Sequence, residues 1–201
     1  MVFESFSKLE GQHAILGASQ HAWLRYDDDK LKKYYESLKA KEMGTRLHAL
    51  AAEHIDLGIR MPKSDMTLYK YINDAIGYKM TPEQILYFSD HSFGTADSIS
   101  FRKNILRIHD LKTGVHPAYK TDKKTGEYVL EQLEIYAALF CLQYGEKLGF
   151  KPNDIQFELA IYQNNDIFAE QPDSSKIIWT MDRIKHCSDI LDELDVKEEK
   201  K

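Results

Sequence analysis

Two aspartates and a lysine in the middle of the chain, Asp97, Asp110 and Lys112, have residue types and a spacing that suit metal chemistry. Hard cations such as Mg²⁺ prefer carboxylate oxygens as ligands, keep several waters and bind phosphate groups. A lysine beside them can orient a water molecule and offset negative charge that develops on a substrate. Two acids on a surface are also common without any such role, so the spacing alone leaves both interpretations open.

A predicted β-hairpin would bring these three side chains together. Residues 93–108 contain two stretches of strand-forming side chains separated by a polar turn. A turn centred just after Lys103 places Asp97 directly opposite Asp110, where Cβ atoms of cross-strand neighbours are about 5 Å apart. Lys112 follows Asp110 by two residues and therefore points to the same face of its strand. The hairpin would then carry two carboxylates and an ammonium group at its open end.

Two helical segments add polar residues with helical spacing. Gly44 and His48 are four residues apart, as are Gln132 and Tyr136, and such pairs share one face of a helix. His48 is equally compatible with a core or surface histidine, and Gln132 and Tyr136 with the polar rim of a core helix. Alternatively, the imidazole binds a metal, and the amide and the phenol face the two aspartates and contact a phosphate or a base.

Helical patterns dominate the first 80 residues. Apolar side chains recur there at helical spacing, and residues that favour helix ends separate the segments. The predicted helices are a short one capped by Ser19 and ending at Arg25, then Lys30–Lys41, Met43–Leu57 and Met66–Ile76, with a loop at Pro62.

The remainder of the chain alternates between strands and helices. No linker divides it convincingly, so we predict one domain over residues 1–201 with an α/β fold and a mixed central sheet flanked by helices. Its three parts are a mainly helical part (1–80) carrying His48, a sheet and its long helix (81–170), and a last helix with a frayed tail (171–201). The predicted elements after the first 80 residues are a strand Gln84–Ser89, the hairpin, a loop His116–Gly126, a helix Tyr128–Leu148, strands Ile155–Gln163 and Ile167–Glu170, and a helix Lys176–Leu194 capped by Ser174 or Ser175.

Charge is unevenly distributed along the chain. The formal net charge is −5, yet residues 102–124 contain seven basic residues and only two aspartates. A basic stretch beside paired carboxylates suits an anionic substrate that is bound through metal, although a solvated lysine-rich loop is an equally good explanation. Its lysines Lys120, Lys123 and Lys124 are the candidates for contact with phosphate, and such binding would weaken with salt.

Compartment and cofactors are indicated mainly by what the sequence lacks. It shows no apolar run of about 18 residues and no signal-peptide pattern at its start, so we expect no membrane association. Cys141 and Cys187 have no metal-ligand spacing and are expected to be reduced in a cytosol and buried within helices. A cytoplasmic protein is therefore predicted.

Four short motifs occur in a fixed order: Gly44-x₃-His48, Gly94-x₂-Asp97, Asp110-Leu-Lys112-Thr-Gly and Gln132-x₃-Tyr136. Together they resemble the RecB-like branch of the PD-(D/E)XK nucleases, which includes CRISPR-associated four-cysteine exonucleases and phage alkaline exonucleases. The resemblance spans Gly44 to Tyr136 by motif, and extends to Gln163 by the order of strands and helices. Two departures, alanine before Asp97 and aspartate as the second acid, are both common in that branch.

The resemblance implies a restriction-endonuclease-like core and a metal site. His48, Asp97 and Asp110, with the backbone carbonyl of Leu111, would bind one or two Mg²⁺ or Mn²⁺ ions. Lys112 would position the attacking water and stabilise the phosphorane. The chain has only two cysteines, so no iron–sulfur cluster is expected.

The activity that the resemblance implies is hydrolysis of DNA, with Gln132 and Tyr136 holding the strand or orienting the lysine. An exonuclease acting on ends or single strands in phage or prophage recombination or DNA processing is the leading interpretation. The host would then be a bacterium, and an annealing or recombinase protein is a possible partner. No P-loop motif is present, so any translocase would be a separate protein. The alternatives are an endonuclease for flaps or junctions, which could be oligomeric, and a non-catalytic nucleic-acid-binding module on the same fold.

Overall fold

The structure is a computed structural model that describes residues 24–198 together with Leu16 and Ala22, with side chains after Asp195 excepted. Ser19, the predicted cap of the first short helix, lies outside the described residues. The chain divides into two compact units, Met1–Thr45 and Arg46–Lys201. The single domain over residues 1–201 therefore stays a prediction.

The described residues form a mixed sheet with helices on both of its faces, in agreement with the predicted α/β class. The order of the strands in the sheet is β1-β2-β3-β6-β7, and β4 pairs separately with β5. The helices are α1 (Asp28–Leu57), α2 (Thr67–Gly77), α3 (Glu131–Leu148) and α4 (Ser174–Glu198). The strands are β1 (Thr81–Ser89), β2 (Ser92–Arg102), β3 (Ile105–Leu111), β4 (Lys120–Thr121), β5 (Tyr128–Val129), β6 (Gln156–Gln163) and β7 (Asp166–Glu170).

The hairpin of β2 and β3 has the predicted register. Arg102 pairs with Ile105, and the ladder continues to the pair of Ser98 with His109. The two turn residues, Lys103 and Asn104, have φ of 52° and 59°, which matches the tight hairpin turn that requires φ above zero at both central positions. One step beyond the last pair, the same register sets Asp97 opposite Asp110, as the sequence predicts.

Helix α3 and helix α2 cover opposite faces of the sheet. β1, β2 and β3 are antiparallel, whereas β6 runs parallel to β3 after the crossover through α3. The core under α3 includes Leu106, Ile108, Leu133 and Ala137, all fully buried. A second cluster joins the end of α1 to α2 and to the other face of the sheet, and its members include Ala51, Ile55, Tyr71, Ile72, Leu111 and Tyr162. The end of β3 is thus fixed from both sides.

Several predicted element boundaries were wrong. The helices predicted at Lys30–Lys41 and Met43–Leu57 form the single helix α1, since only Gly44 interrupts good helix formers and one glycine costs only about 1 kcal/mol. The long helix begins at Glu131 instead of Tyr128 because Tyr128 and Val129 pair with the preceding loop across a turn at Gly126, whose φ is 75°.

Two smaller predictions also need correction. The N-terminus of α4 is capped by Asp173, whose Oδ1 accepts a hydrogen bond from the Ser175 amide at 2.8 Å, and not by Ser174 or Ser175. Cys141 is buried and burial raises the pKa of its thiol to about 12, but Cys187 is exposed. Across the described residues, no helix is long and apolar enough to cross a membrane.

Candidate metal centre

Asp97 is held at the open end of the hairpin by the neighbouring strand and by α1. Its Oδ2 accepts a hydrogen bond from the Leu111 amide at 2.8 Å and lies 3.2 Å from Nδ1 of His48. Leu111, predicted as a carbonyl ligand, therefore also orients Asp97 through its N–H group. This arrangement aims the carboxylate at the helix that carries His48.

His48 approaches Asp97 from the second half of α1 and is partly buried. The hydrogen bond to Asp97 raises the pKa of His48 above its ordinary value, and this effect outweighs the opposing effect of burial. The charges of Asp97 and Asp110 act in the same direction. A negative environment that stabilises an imidazolium also favours a divalent cation, and metal binding at this imidazole would compete with its proton.

Glu83 belongs to the same cluster, although the sequence analysis did not identify it. One ligand atom from each of His48, Glu83 and Asp97 can be chosen such that all three lie within 4.8 Å of one another. In the structure, the residues on either side of Glu83 pair with the residues on either side of Asp97, so Glu83 lies opposite Asp97 across β1 and β2. The sequence predicts a strand that begins only at Gln84, whereas β1 begins at Thr81, so Glu83 is not among the predicted site residues.

The backbone at Glu83 has an unusual conformation. Its φ is 48°, in the left-handed region that a non-glycine residue seldom adopts outside turns, and it lies inside strand β1. Burial raises the pKa of Glu83, and the charge of Asp97 raises it further. Backbone conformations of this kind, which cost free energy, concentrate at binding and catalytic sites.

Asp110 is the most deeply buried acid of the group, with 1% of its surface exposed. Its Oδ1 accepts hydrogen bonds from Lys112 Nζ at 3.1 Å and from Gln132 Nε2 at 3.4 Å. Its Oδ2 lies 2.9 Å from Lys112 Nζ as an ion pair but lacks a partner in hydrogen-bond geometry. Burial raises the pKa of Asp110 to about 6, and the charge of Asp97 adds to this effect against the opposing effect of Lys112.

Lys112 is held in place by Gln132 of helix α3, which forms the predicted i, i+4 pair with Tyr136. Lys112 Nζ donates a hydrogen bond to Gln132 Oε1 at 2.9 Å, and Gln132 Nε2 lies 3.4 Å from the Tyr136 hydroxyl. Gly94 lies beneath this ring, and a Cβ there would be only 2.9 Å from Cε1 of Tyr136. The glycine of the Gly94-x₂-Asp97 motif is therefore needed for close approach of the tyrosine to β2.

The three lysines predicted to contact phosphate have different surroundings. Lys120 Nζ forms an ion pair with Glu131 at 2.6 Å, so its ammonium is already engaged. Lys123 and Lys124 are exposed in the turn between β4 and β5, where Asp122 Oδ1 accepts the Lys124 amide at 2.8 Å. The turn holds the last two lysines open to solvent, which is compatible with contact to a polyanion.

Comparisons of the chain with protein-family models, with curated proteins and with solved structures found no match. The functional argument therefore depends on the geometry and chemistry of the cluster itself.

The cluster has the donor set and the charge that a hard divalent cation requires. His48, Glu83 and Asp97 offer ligand atoms within 4.8 Å of one another. Asp110, which is paired with Lys112, is not part of that group, although its charge acts on His48. Carboxylate oxygens suit Mg²⁺ and Mn²⁺, and one imidazole is compatible with either ion. The buried Oδ2 of Asp110 lies 2.9 Å from Lys112 Nζ without hydrogen-bond geometry, so it can still accept a bound cation. The residues present therefore fit such an ion.

Proposed function

We propose that this chain is a metal-dependent deoxyribonuclease of the RecB-like branch of the PD-(D/E)XK nucleases. The single observation that carries the proposal is the convergence of a His–Glu–Asp group with the buried pair of Asp110 and Lys112. Burial raises the pKa of Asp110 to about 6, and carboxylates perturbed in this way are concentrated at functional sites, which supports the proposal. Except for Glu83, these are the residues that the sequence motifs assign to metal binding and to water positioning.

His48, Asp97 and Asp110 would hold one or two Mg²⁺ or Mn²⁺ ions, together with Glu83 and the backbone carbonyl of Leu111. Such an ion, when bound, neutralises charge on the phosphate and lowers the pKa of coordinated water. Asp97 contributes because the Leu111 amide fixes its orientation at 2.8 Å. A fixed carboxylate pays little reorganisation free energy when the substrate enters.

Lys112 supplies the positive group that belongs to the chain itself. Contacts of 2.9 and 3.1 Å to the two Asp110 oxygens, and 2.9 Å to Gln132, fix its ammonium group in the cluster. From this position Lys112 can donate a hydrogen bond to a water or to a phosphate oxygen as negative charge develops there. Gln132 orients the ammonium, and the Tyr136 hydroxyl beside it is available to the DNA strand.

The exonuclease mode, and a place in phage or prophage recombination, are supported by the sequence resemblance. Linear and covalently closed circular DNA differ in whether they offer an end, so the two substrates test this mode directly. We expect the protein to degrade linear DNA with Mg²⁺ or Mn²⁺ and to spare intact circular duplex. Equal degradation of both would reject the exonuclease mode and leave the deoxyribonuclease assignment intact.

The assignment itself is tested with Asp110→Ala and Lys112→Ala. Removal of one preorganised charged group from a hydrolytic site lowers the rate by about 10²–10³-fold. Lys147→Ala, at the exposed end of α3, serves as the control for loss of a lysine and should retain full activity. Wild-type activity in both site variants, or no cleavage of any DNA by the wild type with either metal, would overturn the proposal.

A further inference from the structure

Helix α4 has an apolar face that the rest of the described chain leaves open to solvent. Its inner face packs on the core, where Ile177 is fully buried and Ser188 is 3% exposed. Large side chains on another face remain accessible, with Trp179 65% and Leu194 50% exposed. The exposed residues of this face, which we call the apolar stripe, are Trp179, Cys187, Ile190, Leu191 and Leu194.

The apolar stripe follows α4 over much of its length. At about 100° per residue, the side chains of the stripe fall within about 120° of the helix circumference, and Arg183 falls on the same face between Trp179 and Cys187. The ends of the stripe, Trp179 and Leu194, are about 22 Å apart at a rise of about 1.5 Å per residue. Contiguous exposed apolar patches on a protein surface mark sites of interaction. The stripe therefore indicates an interaction surface.

A groove of about 350 Å³ lies beside the apolar stripe, between α4 and α3. Its lining is largely apolar and includes Ile135 of α3, which is 45% exposed, and Ile184 of α4. Three members of the stripe, Trp179, Cys187 and Leu191, also line the groove. No residue of the candidate metal centre lines it, so this surface is distinct from the proposed active site. An exposed indole beside a recess suits a surface that binds its own copy.

The charge of α4 changes sign along the helix. The part before Cys187 is basic, since its charged residues are Lys176, Asp182, Arg183 and Lys185. Residues 188–195 are acidic and contain no lysine or arginine, and their charged residues are Asp189, Asp192, Glu193 and Asp195. One half of the helix is therefore complementary in charge to the other half.

Some of these charges are already engaged within the chain. Lys176 is held by its two glutamates, and His91 Nε2 lies 3.4 Å from Asp192 and 3.0 Å from Asp195. Arg183, Asp189 and Glu193 are exposed, and none of them forms an ion pair with another residue that the structure describes. These three charged groups are therefore available to a second molecule.

We infer that the apolar stripe is the interface of a homodimer, in which α4 of one copy packs antiparallel to α4 of a second copy. A parallel arrangement would place like charges side by side, whereas the antiparallel arrangement places the basic half of each helix against the acidic half of the other. A partner of another kind would not need a charge pattern that is complementary to itself. A twofold dimer brings the same surface of both copies together and does need one.

The midpoint of the apolar stripe sets the register of the two helices. It lies between His186 and Cys187, which is also where the charge of α4 changes sign. With a twofold axis at this point, Trp179 lies opposite Leu194 of the second copy. Arg183 then lies within one helical turn of Glu193 of the second copy. The apolar contact and the charged contact are thus satisfied in one arrangement.

The mass of the protein in solution tests the homodimer. Sedimentation velocity of the full chain should show a mass that rises with concentration from 23.4 kDa towards twice that value. Two apolar residues of similar exposure provide matched variants, since Leu191 in the stripe is 40% exposed and Ile167 on β7 is 39% exposed. Leu191→Glu should raise the dissociation constant of the dimer by about tenfold or more, and Ile167→Glu should leave it unchanged.

An exchange of charges separates a specific interface from a general loss of folding. Arg183→Glu places like charges together across the twofold axis and should weaken the dimer by about tenfold. Addition of Glu193→Arg to this variant should restore most of the affinity, because the charge pair is present again with its signs exchanged. A variant that had merely lost its fold would not be rescued by the second substitution.

Three results would overturn the homodimer through α4. The first is a mass of 23.4 kDa for the wild type at every concentration. The second is a dimer that Leu191→Glu and Ile167→Glu weaken equally, and the third is a double charge variant that associates no better than Arg183→Glu alone. The substituted residues lie outside the candidate metal centre, so each of these results leaves the proposed nuclease activity to be decided by its own assay.

Discussion

Two lysines of this chain form ion pairs with buried carboxylates, and the two clusters differ in the number of acids and in the presence of an imidazole. Lys176 Nζ lies 2.7 Å from Glu134 and 2.8 Å from Glu170, and the second oxygen of Glu170 accepts the Leu130 amide at 2.6 Å. Burial alone would lower the pKa of Lys176, but its hydrogen bonds to the two glutamates outweigh burial and raise it. This cluster joins α3, β7 and α4.

The cluster around Lys112 contains more acids. Lys112 contacts Asp110, while Glu83 and Asp97 lie beside His48. Asp110 Oδ2 and, in the first cluster, Glu134 Oε1 are both buried without a donor in hydrogen-bond geometry, although each lies within 2.9 Å of its lysine. The excess negative charge costs free energy in the absence of a cation. Both clusters contain acid and lysine side chains on the same sheet and helices, so the presence of an acid–lysine pair alone does not separate them. The additional acids and the imidazole of the His48–Glu83–Asp97 group distinguish the candidate site from the cluster around Lys176.

The largest expected difference between the two clusters is in the cleavage rate after each lysine is replaced by methionine. Lys112→Met should reduce cleavage about 10²–10³-fold, because the lost ammonium acts on the substrate, and it should also raise the pKa of Asp110 further, because Lys112 contacts both oxygens of that buried acid. Lys176→Met should lower the free energy of unfolding by about 1–2 kcal/mol, a value discounted because the lysine is partly exposed, and leave the rate per folded molecule unchanged. Urea unfolding and a cleavage assay on both variants would test this. A lower cleavage rate in Lys176→Met together with an unchanged rate in Lys112→Met would contradict the assignment of the metal site to the Lys112 cluster.

Amide substitutions of one acid from each cluster should change stability in opposite directions. Asp110→Asn should stabilise the metal-free protein at pH 8 by up to about 3 kcal/mol, since a shift of one pKa unit corresponds to about 1.4 kcal/mol. Glu170→Gln should destabilise it by about 1–2 kcal/mol, because it weakens the contacts to Lys176 and to the Leu130 amide. Thermal unfolding in EDTA measures both.

The increase in stability expected from Asp110→Asn should depend on pH. The folded-state pKa of Asp110 is about 6, above the ordinary value of 3.8, so the folded protein binds more protons than the unfolded chain between these values. The contribution of Asp110 to stability therefore falls as pH rises through this window. The gain from the substitution should be full above pH 6 and disappear below about pH 4. A gain that increased on acidification would contradict the raised pKa.

Two motif glycines offer a smaller contrast within the candidate site. Gly94→Ala places a Cβ 2.9 Å from the Tyr136 ring, so the ring must shift away from Gln132 and activity should fall about tenfold. Gly114→Ala meets nothing within 4 Å and has no positive φ to strain, so it should retain activity. Cleavage rates of the two variants, with circular dichroism as a check on folding, would measure the difference. Equal rates would show that the tyrosine has no part in the site.

The smallest effect is expected from lysines outside both clusters. Replacing Lys123 and Lys124 together by alanine removes two exposed charges, which should lower DNA affinity a few fold at moderate salt and reduce the salt slope of log K by about 1.4. Fluorescence anisotropy at several salt concentrations measures both quantities. An unchanged affinity and slope would place this turn outside the interface.

The hairpin was predictable because its determinants are local. The polar turn at Lys103 and Asn104 fixes the register, and the register places Asp97 opposite Asp110 whatever the rest of the chain does. The i, i+4 spacing of Gln132 and Tyr136 likewise identified one side of α3. The hairpin register and the shared face of Gln132 and Tyr136 depend on the turn residues and on the helical repeat, which involve only a few neighbouring residues.

The parts that were missed depend on contacts between distant segments. Glu83 joins the cluster through a left-handed backbone in β1, which nothing in Thr81-Pro-Glu signals. Tyr128 and Val129 leave the predicted helix because β4 is available as a pairing partner, so tertiary context overrides helix propensity. Cys187 is exposed although it lies in a helical pattern, because its side of α4 is not covered by the core. Local sequence patterns do not specify which faces of a helix pack against the core.

The central claim is that His48, Glu83, Asp97 and Asp110 form a divalent metal site. Anomalous diffraction from crystals soaked in Mn²⁺ tests it directly. We expect a peak within about 2.5 Å of carboxylate oxygens of Asp97 and Asp110, near the imidazole of His48, and its absence in Asp110→Asn crystals. A peak bound elsewhere, or an unbound cluster at Mn²⁺ concentrations that support cleavage, would contradict the claim.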